Sequence, residues 1–204
     1  MVTGGPPEQL EKKGLTRRRL TLGILLAAAA GAIGSLLTVV KVLAPKRSGR
    51  GYEADILPGD RVVYAQGDQL GTPVQAASFQ AGDAALVYPA GKATNQANLV
   101  QLIRLDESVF QAPTRLELTD QGFVAYSAVC THLACTVSWV KNQASPSASF
   151  TECFCHNSIF DPARGAKVLG GPAPIPLAQI GVRVIEDGSL VFTSDFSGPI
   201  GPQV

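Results

Sequence analysis

Charged side chains are scarce in this sequence, at 16% of 204 residues, whereas hydrophobic residues make up 46%. This balance is too apolar for a disordered chain and unusually low in charge for a domain wholly surrounded by water. No glycine-rich phosphate loop precedes a helix, and no internal repeat of solenoid length is visible. The length also excludes a large enzyme with its own cofactor domain. The composition therefore favours one small domain accompanied by a membrane segment.

The few charges are unevenly distributed. Residues 1–50 contain nine lysines and arginines but only two acidic residues, which gives this part a net charge of +7. Residues 51–204 contain eight basic and fourteen acidic residues, and their net charge is −6. Nucleic-acid binding requires a cationic surface that displaces counterions from phosphates. We therefore expect an acidic folded domain behind a basic leader, and no nucleic-acid partner.

The basic leader, residues 1–19, is followed by an apolar segment long enough to cross a membrane. Residues 20–40 carry no charge, and as a helix they would span about 31 Å, close to the hydrocarbon thickness of a bilayer. Because lysines and arginines before the first apolar segment usually stay inside, the following domain is expected outside. We predict one transmembrane anchor at 20–43 in a bacterial cytoplasmic membrane, with the C-terminal domain on the periplasmic side.

Two interpretations of the arginines in this leader remain open. The run Arg17-Arg18-Arg19 is similar to a twin-arginine export signal, which carries folded, cofactor-loaded proteins. It also fits the basic region of any membrane anchor. Both interpretations export the domain. Residues 44–51 contain Pro, Gly and charged residues without an apolar pattern, and we interpret them as a flexible tether.

Short apolar segments separated by turn signals dominate residues 52–204. Val, Ile, Leu, Phe and Tyr recur in these segments, a pattern typical of antiparallel sheets in a sandwich or barrel. Asp187-Gly188 between two such segments predicts a hairpin, because glycine supplies the positive φ of a tight turn. We therefore predict an all-β domain, an antiparallel β-sandwich. The predicted strands are 61–64, 84–88, 99–105, 122–128, 181–185 and 190–193.

All cysteines and histidines of the chain fall in two short stretches and form six candidate metal ligands. Four arrangements remain open: a structural zinc site, an all-cysteine iron–sulfur cluster, two disulfides, and a [2Fe–2S] cluster held by two thiolates and two imidazoles. The single residue between Cys130 and His132 is outside the usual zinc spacing, and the second and third arrangements leave the histidines unexplained. In an exported domain a left-over pair of cysteines would form a disulfide. The six candidates are Cys130, His132, Cys135, Cys153, Cys155 and His156.

These motifs resemble the paired cluster-binding loops of Rieske proteins. Residues 130–135 read Cys-Thr-His-Leu-Ala-Cys, and residues 153–158 read Cys-Phe-Cys-His-Asn-Ser. The Gly-Gly-Pro-Ala-Pro run at 170–174 is similar to the proline-rich loop that covers the cluster in that family. The resemblance implies a Rieske-type fold. Its implied parts are a base fold at 52–127 and 177–204 and a cluster-binding insertion at 128–176.

By this similarity each chain binds one [2Fe–2S] cluster, with Cys130 and Cys153 on one iron and His132 and His156 on the other. Replacing two anionic thiolates by neutral imidazoles raises the reduction potential from about −400 mV to between about −150 and +300 mV. Such a centre can oxidise a quinol. The two histidines are the expected catalytic residues, because each keeps a second ring N–H that can take up a proton with the electron.

Four further residues complete the site that the resemblance implies. Cys135 and Cys155 would form a disulfide between the two loops. Ser158 would donate a hydrogen bond to a cluster sulfide, and Leu133 would shield the cluster from water. The extra cysteine pair separates this pattern from Rieske oxygenases and their ferredoxins, which lack the bridge.

The chain departs from the family pattern at four positions. Ala134 and Asn157 stand where glycine is usual, and asparagine tolerates a left-handed backbone better than most residues. Phe154 replaces a proline, and Phe160 replaces a tyrosine that donates to a ligand thiolate. With one hydrogen bond absent, the potential is expected below the high end of the family.

The function that the resemblance implies is that of an anchored, extracytoplasmic Rieske subunit of a bc-type quinol:cytochrome c oxidoreductase. The chain alone would be an electron carrier. Its partners would be a cytochrome b-type subunit that binds quinol and a c-type cytochrome that takes the electron. Two alternatives remain open: the small subunit of a periplasmic molybdenum oxidase similar to arsenite oxidase, and a non-redox binding module stabilised by zinc or disulfides.

Overall fold

The computed structural model describes residues 21–22, 24–26, 28, 31, 52–144 and 148–203. The described residues of the predicted anchor are helical and belong to a first unit, Met1–Arg47, whereas the strands belong to a second unit, Ser48–Val204. Among the described residues, no helix has the length and apolar character needed to cross a membrane. The predicted leader, the remainder of the predicted anchor and the predicted tether lie outside the described residues.

The second unit consists of short strands arranged in three antiparallel sheets. The strands are β1 Val62–Tyr64, β2 Ala84–Pro89, β3 Val100–Arg104, β4 Phe123–Ser127, β5 Ser138–Val140, β6 Phe150–Cys153, β7 Ser158–Asp161, β8 Lys167–Gly170, β9 Gln179–Ile180, β10 Val182–Val184 and β11 Leu190–Phe192. The first sheet has the strand order β1-β2-β3-β4-β9, the second pairs β10 with β11, and the third has the order β5-β6-β7-β8. Short 3-10 helices in the connections are Ala76–Ser78, Gln96–Asn98, Glu107–Val109, Leu116–Leu118 and Pro162–Arg164.

The all-β prediction with antiparallel sheets is confirmed. The six predicted strands correspond to β1, β2, β3, β4, β10 and β11. The predicted hairpin is also present: β10 and β11 pair Val182 with Phe192 and Val184 with Leu190, and Gly188 in the turn has a φ of +78°. This backbone conformation costs an L side chain free energy but costs glycine little.

The first sheet forms a middle layer with a core on each face. All of β4 is buried, and its residues alternate between the two cores: Phe123 and Ala125 pack in one, Val124 and Tyr126 in the other. Successive side chains of a strand point to opposite faces, so both faces of this sheet are covered. The third sheet packs around the second core and carries the cysteines, and the hairpin β10–β11 packs around the first core.

The strands of the third sheet were not among the predicted strands, and their buried side chains explain why. The buried face of β6 consists of Thr151 and Cys153, and that of β7 consists of Ser158 and Phe160. Only one of these four residues is an aromatic or β-branched aliphatic residue. An apolar alternation is therefore not visible in this stretch, although the strands alternate regularly between buried and half-buried positions.

Two buried hydrogen bonds join the third sheet to the middle layer. The hydroxyl of Thr151 on β6 donates to Gln101 Oε1 on β3 over 2.6 Å. The phenol of Tyr126 on β4 donates to the carbonyl of Pro162 over 2.8 Å. Burial raises the pKa of Tyr126, so its phenol remains a protonated donor. Because unmade hydrogen bonds are costly in a core, these pairs fix the orientation of the third sheet on the first.

Candidate metal centre

The first cysteine–histidine loop connects β4 to β5 and closes on itself. The Cys130 N–H donates to the Cys135 carbonyl over 2.8 Å, and the Ala134 N–H donates to the Cys130 carbonyl over 3.0 Å. Ala134 has a φ of +63°, in the left-handed region that L residues rarely occupy. This turn keeps Cys130 fully buried while His132 is half-buried. The loop therefore carries a thiol inside and an imidazole nearer the surface.

The second loop is the turn between β6 and β7, and it repeats this arrangement. Cys153 ends β6 and pairs with Ser158, the first residue of β7. The His156 N–H donates to the Cys153 carbonyl over 3.3 Å, and Asn157 has a φ of +56°. Cys153 and Ser158 are buried, whereas His156 is exposed. A thiol and a hydroxyl thus point inward from the strands, and the imidazole lies in the turn at the surface.

A third loop, the Gly-Gly-Pro-Ala-Pro segment, covers the first two. The Ala173 N–H donates to the buried hydroxyl of Ser158 over 3.1 Å. The hydroxyl of Thr131, which is 1% exposed, donates to the Ile175 carbonyl over 2.7 Å. These bonds attach the proline-rich loop to both ligand loops. Thr131 was not among the predicted site residues, although its place between a candidate thiol and a candidate imidazole was a signal.

The four cysteines divide into one bonded pair and two thiols. Cys135 and Cys155 form a disulfide that joins the first two loops, and Cys130 and Cys153 are free and buried. The sulfur of Cys153 lies within 4.8 Å of both disulfide sulfurs. Burial raises the pKa of the Cys130 thiol, the neighbouring Cys153 thiol raises it further, and the Ser158 hydroxyl lowers it. Metal binding to this pair would release protons, since thiolates are the ligating form.

The imidazole rings of His132 and His156 lie in contact with each other. The ring centroids of His132 and His156 are 4.6 Å apart, and the rings are nearly perpendicular, at 88°. Nδ1 of His132 is buried and has no hydrogen-bond partner among the described residues. A buried polar atom without a partner is rare in native proteins and points to a missing ion or ligand. The arrangement offers two inner thiols and two outer imidazoles to one metal centre.

The sequence of this chain is similar to those of known iron–sulfur proteins. Residues 85–181 match the model of the Rieske [2Fe-2S] domain. A "Cytochrome b6-f complex iron-sulfur subunit" from Synechococcus sp. (strain JA-3-3Ab) is similar to this chain, with 34% identity over 187 residues that cover 89% of each chain. The chain belongs to the Rieske [2Fe–2S] protein family.

Two further relatives are similar to this Rieske protein. A "Putative respiratory nitrate reductase subunit Rieske" from Haloferax mediterranei is 30% identical over 175 residues, 83% of this chain and 76% of the relative. A "Cytochrome bc1 complex Rieske iron-sulfur subunit" from Streptomyces lividans is 38% identical over 103 residues, 50% of this chain. That match spans 58% of the Streptomyces protein.

As a Rieske protein the chain binds a [2Fe–2S] cluster, and the donor set fits this group. Nδ1 of His132, which has no hydrogen-bond partner among the described residues, and the two buried free thiols are atoms that can ligate iron. Cys135 and Cys155 are bonded to each other, which excludes the all-cysteine cluster for this state of the chain. Cys130 and Cys153 are free thiols, so the arrangement with two disulfides is not the one in this structure. The two free thiols and the two imidazoles are therefore the donors that remain for a metal among the described residues.

The remaining predicted site residues fall into two groups. Ser158 and Phe160 are fully buried, and Phe160 packs in the second core without a hydroxyl to donate. In contrast, Leu133 is 59% exposed and Phe154 is 62% exposed. Leu133 directly follows His132 in sequence, and Phe154 precedes His156 by two residues. The structure therefore brings Ser158 into the site but does not bury the predicted shield, Leu133.

Replacing Ala134 by glycine is expected to stabilise the protein by about 0.5–1 kcal/mol. An L residue in the left-handed region costs roughly 1–2 kcal/mol, and glycine removes this cost but adds unfolded-state entropy of about 0.5–1 kcal/mol. Urea unfolding of the full-length protein measures the difference. The matched change Ala85→Gly in β2, where the φ is ordinary, is expected to destabilise. A loss of stability in Ala134→Gly would contradict the strain assigned to this position.

Proposed function

We propose that this Rieske protein is the electron-transfer subunit of a bc-type complex that oxidises quinol. The observation that carries the proposal is the division of the site, with two thiols buried beneath and two imidazoles stacked edge to face towards the surface. An electron carrier needs a redox centre close to its surface, because it must exchange electrons with separate donors and acceptors. The chain alone is a carrier, and catalysis belongs to the complex.

The proposed ligands are Cys130 and Cys153 for one iron and His132 and His156 for the other. When bound, the cluster supplies a one-electron redox centre, with a potential raised by its two neutral imidazole ligands. Nδ1 of His132 is the proposed ligating nitrogen of that residue, because it is the buried atom without a partner. This leaves Nε2–H of His132 to hold or release a proton. His156 is exposed, and its second ring nitrogen is proposed to do the same.

These imidazoles couple the electron to a proton. A quinol hydroxyl that meets the exposed histidine edge donates a hydrogen bond to a deprotonated ring nitrogen, which then accepts the proton as the quinol is oxidised. His156 is the more accessible of the two histidines, which supports it as the contact to quinol.

The midpoint potential is expected to fall as the pH rises into the alkaline range. The reduced centre is more negative and holds the imidazole protons more tightly than the oxidised one, so reduction at high pH requires proton uptake. The slope should approach about 59 mV per pH unit for one proton per electron. Protein-film voltammetry of the soluble domain measures it. A potential that is independent of pH would contradict histidine ligation.

Ser158→Ala is expected to lower the midpoint potential by on the order of 60 mV. The Ser158 hydroxyl accepts from the Ala173 N–H, so its own proton is available to stabilise negative charge on sulfur, and it lowers the pKa of the Cys130 thiol. A hydrogen bond to a charged group contributes about 1.5–3 kcal/mol, and 59 mV corresponds to about 1.4 kcal/mol for one electron. Redox titration followed by electron paramagnetic resonance (EPR) measures the shift.

The control for this serine is Ser189→Ala in the turn of the β10–β11 hairpin. Ser189 is also fully buried, and its hydroxyl bonds to Asp187. Its removal is expected to reduce stability without moving the potential, because the hairpin packs in the other core. Equal shifts in both variants would show that the potential responds to general loosening rather than to the Ser158 hydroxyl.

The proposed membrane arrangement is one anchor at 20–43, a tether at 44–51 and a periplasmic domain. Two observations support it: the basic residues precede the apolar segment, and the described side chains within it are exposed. Leu22, Ile24, Leu25 and Leu26 are 59–65% exposed in a helical segment. An apolar helix with exposed leucines favours a lipid environment over water. Protease protection in spheroplasts tests the orientation.

The proposed partners are a cytochrome b-type subunit that binds the quinol and a c-type cytochrome that accepts the electron. The relatives named as subunits of cytochrome bc1 and b6-f complexes support this proposal. Purification of the tagged full-length chain from its own membranes tests it. The expected result is co-purification of b- and c-type haem, with EPR-detectable reduction of the cluster by quinol. A preparation that contains the cluster but neither haem would reject the bc-type assignment.

A second candidate is the Rieske subunit of another respiratory oxidoreductase. The Haloferax relative, named as a putative nitrate reductase subunit, favours it because the match covers 83% of this chain. Phe160 also favours it, since phenylalanine at this position resembles the small subunits of molybdenum oxidases. The same purification distinguishes the two, because co-purification of a molybdenum subunit would support this candidate.

A further inference from the structure

A surface glutamine contacts the first ligand loop from outside the site. The 3-10 helix Gln96–Asn98 lies in the turn between β2 and β3, and Gln96 Nε2 donates to the Ala134 carbonyl over 3.1 Å. Ala134 stands between His132 and Cys135 and holds the left-handed conformation described above. Alanine is poorly suited to this conformation, so an external hydrogen bond to its peptide group would help to keep the loop in shape.

Gln96 projects from a turn that is itself firmly held. Asn98 is fully buried, accepts from the Asp55 N–H over 3.0 Å, and donates to the Asp55 carboxylate and to the Lys92 carbonyl. Asn95 donates to the Glu53 carbonyl over 2.9 Å. These bonds connect the turn to the first described residues of the domain. The side chain of Gln96 therefore starts from a backbone with little freedom to move.

Apolar packing joins the same turn to the other end of the ligand loop. Ala97, whose N–H is capped by Asn95 Oδ1, is 1% exposed and packs with Val129 and Ile200. Val129 directly precedes Cys130, and Ala134 packs against the same small cluster. The turn thus contacts the loop before its first ligand and after its second. Residues 95–98 therefore contact both ends of the first ligand loop, and we call them a brace.

We propose that residues 95–98 brace the first ligand loop and that Gln96 is a positioning residue for His132. Gln96 acts through the Ala134 peptide and touches neither the metal centre nor the substrate. The bond compensates for the alanine at a position where glycine would adopt the same backbone freely. This inference rests on the proposed role of His132 as a ligand.

The proposal is tested by a double-mutant cycle between Gln96 and Ala134 in the full-length protein purified in detergent. Gln96→Ala is expected to accelerate thermal loss of the cluster absorbance by about tenfold, the size expected for one net hydrogen bond. The EPR g-values of the histidine-ligated cluster should also shift. In the Ala134→Gly background the same change is expected to accelerate the loss by about twofold or less, because glycine needs no external support.

Two variants make the test specific. Gln96→Glu keeps the shape but replaces the donor by a carboxylate, so it should accelerate cluster loss at least as much as alanine. Gln80→Ala removes another exposed glutamine of the domain and should leave the cluster unchanged. Equal effects of Gln96→Ala in both Ala134 backgrounds, or unchanged g-values and loss rates, would overturn the proposal. A wrong ligand assignment would give a different result: His132→Ala would then retain the wild-type EPR spectrum, whatever the effect of Gln96→Ala.

Discussion

Cys153→Ala is expected to abolish the cluster while leaving the domain folded. Alanine offers no ligand atom, and three remaining donors cannot complete the coordination of the cluster. The first core contains none of the cysteines, so the base fold keeps its packing. Iron content and EPR of the reduced protein measure the loss, and far-ultraviolet circular dichroism measures the fold. This variant has the largest expected effect because it removes the redox centre itself.

The matched control is the double change Cys135→Ser and Cys155→Ser, of which Cys155 lies two residues from Cys153 in sequence. It removes the disulfide but none of the proposed ligands. The EPR line shape is expected to persist, with stability reduced by about 3 kcal/mol for a bridge that closes a loop of this length. If the double variant lost all iron while Cys153→Ala kept it, the assignment of ligands and disulfide would be reversed.

Gly171→Ala is expected to lift the proline-rich loop off the cluster site. A Cβ at this position would stand 2.4 Å from the Asn157 carbonyl oxygen and 2.5 Å from the Ser158 Cα, both backbone atoms. The φ of +86° adds backbone strain for any L residue. Together the clash and the strain should cost about 2–5 kcal/mol. Displacement of the loop would break the Ala173 bond to Ser158 and admit water.

Gly170→Ala is the control for this prediction. Gly170 is the neighbouring residue in the same loop, but a Cβ there would meet no heavy atom within 4 Å. This change is expected to leave both the rate of cluster loss and the potential as they are. Thermal bleaching of the cluster absorbance compares the two variants. Equal rates of cluster loss in the two variants would mean that the close approach of Gly171 to the Asn157–Ser158 backbone is not needed to hold the loop in place.

The chemistry of the site could be predicted from the sequence because it depends on residue types that are rare in this chain. With two histidines and four cysteines in the whole chain, their confinement to two short stretches left few arrangements open. The resemblance to the Rieske pattern then named the family that the comparisons show. The hairpin at Asp187-Gly188 could also be predicted from the sequence, because one glycine with positive φ determines the turn.

Other features depended on contacts that no local pattern encodes. The third sheet buries Thr151, Cys153 and Ser158, so the hydropathy of its strands is misleading. Their burial is favourable only because Gln101 and the Ala173 N–H, distant in sequence, satisfy two of the hydroxyls. Strand formation in this region is thus a property of the assembled core.

By itself, the sequence limited the candidate donors to six cysteines and histidines and predicted the all-β class and the charge division between leader and domain, since these follow from composition, spacing and turn chemistry. Tertiary structure decided how the donors are presented. It buried Cys130 and Cys153, left the Nδ1 of His132 without a partner and placed Gln96 against a strained alanine. These outcomes depend on distances between loops that are far apart along the chain, and only packing of the two cores brings those loops together.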